Sequence, residues 1–317
     1  MQLFQDFIPK ILNEVSHTYV LASALKVFSV IEEFIKRRDN FLKNLKDETK
    51  LSSYFVNSNL SILVLSAIYG ATMGLYGGGL QILYSAIKVP MLLLVSLYVT
   101  VPSYYVLYSL LGGKRTMSQT VMLLLLGFTV MSTVLIAFVP VNLFFLLTSP
   151  KSYESHNFTA LLNIAIFTLG GFFALTYFVK GAETLYRGSS ENWKPAFILG
   201  SIILMFVGTQ LAWVLRPFFN FYGLFIRPVE GNFYTAVVNL LMRSIGEIGT
   251  LFVVSLGIIF VGWLFISVLV PTKEERATTS AEVSRRAKRA LARTCSQCGG
   301  ALSQDAKFCP GCRAKIE

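Results

Sequence analysis

Cysteine is missing from the first 294 residues; all four thiols, Cys295, Cys298, Cys309 and Cys312, fall in the final segment. A disulfide framework across the body of the chain is therefore excluded, and the clustering fits a reducing compartment for the tail. Histidine is nearly as scarce, with only His17 and His156, and aspartate occurs only at Asp6, Asp39, Asp47 and Asp305. None of these aspartates falls within an apolar run, which removes an intramembrane aspartyl dyad. The two histidines stand in an N-terminal arm and a short loop, so neither is placed to activate a membrane-embedded nucleophile. Neither HExxH nor GxxxxGK[ST] occurs. The expectation is a protein that is not an enzyme.

Charge is the next shortage. Only 14% of the residues are charged, against about 25% in ordinary soluble domains. What fills the chain instead is apolar: 54% of its 317 residues are hydrophobic and the mean hydropathy is +0.60. A helix needs about 20 apolar residues to cross the hydrocarbon. Six runs meet that length, at 60–80, 90–111, 121–147, 160–179, 196–215 and 250–270. The third contains Pro140, so it is expected to kink there or to finish as a helix lying at the interface.

These features predict an all-α integral membrane protein with about six transmembrane helices. An amphipathic arm (1–58) precedes the transmembrane domain (59–271), and a basic linker (272–293) and a small tail module (294–317) follow it. The opening "MQLFQDFIPKILNEV" is amphipathic and lacks the layout of a cleavable signal peptide. Lys36, Arg37, Arg38, Lys43, Lys46 and Lys50 mark the arm, and Arg285, Arg286, Lys288, Arg289 and Arg293 mark the linker. Six spans and the positive-inside rule put both termini in the cytoplasm. Lys88, Lys151, Arg216, Arg227 and Arg243 then fall on the outside, against the rule.

In the arm, Leu21, Leu25, Phe28, Ile31 and Ile35 recur at helical spacing. Acids nearly balance bases there. That balance favours packing on the bundle or against another subunit over simple attraction to the headgroup plane.

The tail reads "TCSQCGGALSQDAKFCPGC" over 294–312. Two CxxC pairs ten residues apart, with Gly299, Gly300 and Gly311 beside them, offer four thiolates to one tetrahedral Zn²⁺. Four cysteines leave no open ligand position, so the zinc is expected to be structural, folding a module too small for its own core. The folded module suits contact with a cytoplasmic protein partner. Nucleic acid is disfavoured, because "RRAKRALAR" carries no stacking aromatics.

Within the membrane part, "GLYGGGLQ" (74–81) is either an inter-helix turn or a device for close helix approach. Glycines at 170, 171, 257 and 262 point to tight helix packing. The stretch 208–234, "GTQLAWVLRPFFNFYGLFIRPVEGNFY", supplies Gln210, Arg216, Arg227, Glu230 and Asn232. It is either a salt-bridged, aromatic-anchored loop at the interface or a pore constriction or ligand site. The following "NFYTAVVNLLMRSIGEIG" is expected to form an amphipathic helix.

The segment with "FCPGC" resembles the zinc ribbons appended to many prokaryotic membrane proteins. "GLYGGGLQ", "QLAWVLRPFF" and "RPVEGNFY" over 60–270 look like a bacterial membrane protein family whose spans are similar in length and order to the Yip family. The eukaryotic members of that family work in vesicle traffic. The resemblance implies a non-enzymatic helical membrane domain with soluble attachments, in a bacterial plasma membrane. Two functional classes follow: an oligomeric scaffold that displays the ribbon, or an oligomeric channel or transporter gated by ribbon and arm.

Overall fold

The computed structural model describes residues 51–111, 116–150, 152–186, 193–217 and 231–269, with shorter pieces at 32–34, 36, 41, 44–45, 225, 293–294, 298, 301–302, 308 and 311–312. Seven helices make up the larger part: α1 Leu51–Gly74, α2 Leu80–Leu110, α3 Met117–Ala137, α4 Val139–Thr148, α5 Tyr153–Tyr186, α6 Lys194–Leu215 and α7 Phe233–Leu269. With α3 and α4 taken as one broken span, six are long and apolar enough to cross a membrane. The chain divides into two compact units, Met1–Phe260 and Val261–Glu317.

The helix ends follow local chemistry. Three glycines close α1, and Gly78 and Gly79 hold φ of 68° and 51°, a left-handed conformation that side chains oppose. Earlier on α1, a methyl group added at Gly70 or Gly74 would overlap the carbonyl oxygen of Ser85 or Gln81. The missing side chains therefore let the backbones of α1 and α2 touch. "GLYGGGLQ" is thus a turn, and the close approach is made by Gly70 and by Gly74 at its head. Thr116 starts α3 with a capping box: Gln119 N–H donates to Thr116 Oγ1 at 3.3 Å, and Thr116 N–H donates to Gln119 Oε1 at 3.4 Å.

The third apolar run breaks at Phe138, just before Pro140, as expected of a residue that cannot donate to the helical ladder. Two other prolines behave differently. Pro90 and Pro102 lie inside α2, which begins ten residues before the expected span. Neighbouring helices compensate for a missing bond within a span, so proline there need not mark an end. Lys88 is consequently not a loop residue: it sits in the third turn of α2 and is 1% exposed. The amphipathic stretch after 232 does form helix, but Gly246 (φ 74°) interrupts α7.

Helix α3 occupies the centre, with Met122, Leu124, Leu125 and Leu126 buried. Around it, Tyr69 and Ile62 of α1, Leu97 of α2 and Phe178 of α5 complete the core. The tight packing expected of the glycines holds for Gly170, whose added Cβ would meet the Met131 side chain at 3.3 Å. It fails for Gly171, Gly257 and Gly262, where an added Cβ would meet no neighbouring atom within 4 Å among the described residues.

The periodic residues Leu21, Leu25, Phe28, Ile31 and Ile35 lie outside the described residues, but later parts of the arm do pack. Phe34, Phe41 and Leu45 are fully buried. Phe34 meets Phe41 at 4.4 Å, and Phe41 meets the Tyr54 ring edge-on at 5.1 Å. The Tyr54 hydroxyl donates to the Glu33 carboxylate and accepts from Asn44 Nδ2 at 2.8 Å. Gln119 Nε2 donates to the Leu45 carbonyl at 3.4 Å. These residues use the arm for packing against α1 and α3.

In the second unit, Arg293–Thr294 (β1) pairs antiparallel with Ala301–Leu302 (β2), Arg293 opposite Leu302 and Thr294 opposite Ala301. Cys298 and Cys312 are exposed.

Candidate functional site

The 208–234 stretch is divided among several tasks. Arg216 ends α6 in a left-handed conformation, φ 44° and ψ 51°, with its N–H donating to the Ala212 carbonyl at 2.9 Å. Its guanidinium lies 4.2 Å from the Trp213 ring centroid, and Nε donates to the Trp213 carbonyl at 3.3 Å. A cation folded over the last turn complements the helix dipole and stacks on the indole. Asn232 caps α7 at its other end: its Oδ1 accepts from Thr235 N–H at 2.9 Å. Gln210 is half-buried on α6. Next to it, Thr209 Oγ1 and the Tyr234 hydroxyl, 3.0 Å apart, tie α6 to α7. Arg227 and Glu230 lie outside the described residues.

Two polar features lie within or beside the apolar runs. The first joins three helices. Tyr69 O–H donates to Asn163 Oδ1 at 2.6 Å, and Asn163 Nδ2 donates to the Thr159 carbonyl at 2.8 Å and to Asn142 Oδ1 at 3.5 Å. Asn142 Nδ2 then reaches Thr72 Oγ1 at 3.4 Å. All of these side chains are buried. Because the groups satisfy one another, the network acts as glue between α1, α4 and α5. A single asparagine in each of two apolar runs was the available signal, since a buried amide in hydrocarbon demands a partner.

The second feature lies on α2. Gln81, Ser85 and Lys88 share one buried face at four- and three-residue spacing. The Lys88 ammonium stands 5.4 Å from the Phe225 ring centroid, and the same ring meets Tyr84 edge-on at 5.5 Å. Further along, Tyr104 O–H and Ser201 Oγ pair at 2.8 Å between α2 and α6. There a cavity of about 30 Å³ is lined by Tyr104, Tyr108, Thr120, Phe178, Trp193 and Phe197. At the turn between α1 and α2, the Tyr76 hydroxyl donates to the Ser152 carbonyl at 3.0 Å, and burial pushes that phenol above its ordinary range.

Among the described residues no three metal-ligating side chains converge, and Cys295 and Cys309 lie outside them. The donor set itself is suited to zinc. Six residues, 295–300, separate the paired strands in sequence and carry the first CxxC.

Comparison with protein-family models, curated proteins and solved structures returned no match to this chain. The class is defined by the molecule itself: a helical membrane protein with six candidate spans.

Proposed function

We propose that this chain is a non-enzymatic scaffold of the bacterial plasma membrane, working as a homo-oligomer and displaying a zinc-folded cytoplasmic ribbon that recruits a protein partner. The observation that supports the reading is the antiparallel β1–β2 pairing, between whose strands Cys295 and Cys298 fall in sequence. A CxxC spacing can offer two thiolates to one ion. Cys295, Cys298, Cys309 and Cys312 would hold Zn²⁺, which supplies folding free energy to the module.

The span layout similar to the Yip family agrees with a non-enzymatic domain. Orientation with both termini in the cytoplasm gains support from Lys88, which no longer counts as an outside charge once it belongs to α2. Weak burial of α7 leaves surface for lipid or for a second subunit.

The test is direct. Purified protein should carry one zinc per chain, lost in Cys295→Ser with Cys309→Ser, and removal of 294–317 should abolish partner co-purification while the membrane domain stays folded. Zinc-free protein, or an unchanged partner set, contradicts the reading.

The channel or transporter reading is favoured by one observation, the buried Lys88 within a span, since ionisable groups there mark transport routes more often than packing. Its test is solute flux through proteoliposomes; vesicles tight to every solute would eliminate it.

A further inference from the structure

We infer that the outward face of α6 is where two copies of this chain meet, each Gln210 hydrogen-bonding to its counterpart across a twofold axis; the inference rests on the homo-oligomer reading. Leu199, Ile202 and Phe206 are exposed along this helix at three- and four-residue spacing, and Gln210 follows Phe206 four residues on. The other side of α6 is taken up by α2. A side chain at Gly200 would overlap the Tyr104 ring, Ser201 pairs with the Tyr104 hydroxyl, and Gly208 lies against Ser96. At helical geometry Gln210 stands about 160° round the axis from Gly208, so it points away from α2. Thr209, between the two, holds Tyr234 of α7.

Depth turns that position into a demand. Helix α6 has 22 residues, a length of about 33 Å that matches the roughly 30 Å of the hydrocarbon core. Gln210 precedes Leu215, the last residue of α6, by about 8 Å of helical rise, which leaves it below the headgroups. Its side-chain amide makes no hydrogen bond among the described residues. Asn142 and Asn163, also set within apolar runs, satisfy each other inside the chain. Acyl chains offer neither donor nor acceptor, and an unsatisfied amide in hydrocarbon is far costlier than a leucine at the same place.

A second copy supplies the missing partner. Both copies share one orientation in the bilayer, so a twofold axis runs along the membrane normal and each residue near it meets its counterpart at equal depth. A primary amide carries both donors and an acceptor. Each Gln210 Nε2–H therefore donates to the other copy's Oε1, and two bonds form between identical residues, the self-matching contact that an isologous interface requires. Leu199, Ile202 and Phe206 pack on their counterparts along the same stripe. Tyr234, exposed and tied to Thr209, extends the uncovered surface onto α7. Glutamine placed in this way joins helices in lipid.

Energy transfer between full-length chains carrying donor or acceptor tags at Met1, diluted stepwise in lipid vesicles, tests this. Wild-type protein should associate. Gln210→Leu should raise the dissociation constant about tenfold, Gln210→Asn should recover part of the affinity, and Leu83→Ala, on the exposed side of α2, should change nothing. Association indifferent to Gln210→Leu would overturn this interface and leave the homo-oligomer reading standing. Monomers at every dilution would overturn both. A second measurement keeps Gln210 in place: photoreactive benzoylphenylalanine substituted for Phe206 should cross-link one copy of the chain to another. Adducts with lipid alone, or with a different protein, would contradict the inference.

Discussion

Helices α3 and α7 are alike in composition and opposite in circumstance. The span containing α3 has a mean hydropathy of 2.5 over its most apolar window and that of α7 has 2.1, yet 61% of the first window is buried in the chain and 6% of the second. Lipid tails are as apolar as leucine, so hydropathy places a segment in the membrane without saying what it touches there. Small residues do not decide it either. Gly127 of α3 packs under the Ala174 carbonyl, 3.3 Å from where its Cβ would stand, whereas Gly257 of α7 meets nothing within 4 Å. What separates the two is partnership: α3 is enclosed by α1 and α5, while the described contacts of α7 are few, among them Phe260 against Phe172 and Tyr234 against Thr209.

The comparison can be broken hardest at the α1–α2 contact. Gly70→Leu should force the two backbones apart and cost more than about 3 kcal/mol, abolishing a monodisperse particle in detergent; a well-folded variant would mean the helices are not in contact. Next, Leu125→Ala in α3 should cost about 2 kcal/mol in a reversible unfolding assay, mainly the cavity left behind, since the transfer part is small when the reference state is also in the membrane. The same change at Ile258 of α7 should stay within about 0.5 kcal/mol. Equal costs would erase the distinction.

Asn163→Leu should cost about 1–2 kcal/mol by leaving the Tyr69 hydroxyl without its acceptor, and the companion change Tyr69→Phe should recover part of that loss. Smallest is Tyr76→Phe, at about 0.5 kcal/mol. Because burial raises the Tyr76 phenol, its contribution is complete below the unfolded value near pH 10 and fades as pH climbs through the folded one. The gap between wild type and Tyr76→Phe should therefore close in strong alkali and stay constant near neutrality.

Number and kind of spans were legible because length and hydropathy are properties of the chain alone. Their ends were less so. Pro90 reads as a boundary in sequence and is an interior residue of α2, a position that spans tolerate for proline. That one shift moved Lys88 from an assumed loop to a buried face. Arg216 and Asn232 stood out by chemistry, and both make helix caps, a role their positions beside Pro217 and before a helical run are compatible with. The lone asparagines at 142 and 163 signal that each needs a partner, but which groups pair could not be read, since the partners lie 94 and 21 residues apart.

Accessibility labelling of oriented membranes tests the central claim most directly. Since every native thiol lies in the tail, Ser152→Cys adds a single site at the α4–α5 turn. An impermeant maleimide applied to the outer face should label Ser152→Cys, while tags fused at Met1 and Glu317 both remain shielded from external protease. Tags on opposite faces, or a Ser152→Cys reactive only from the same side as the tags, would contradict the six-span account.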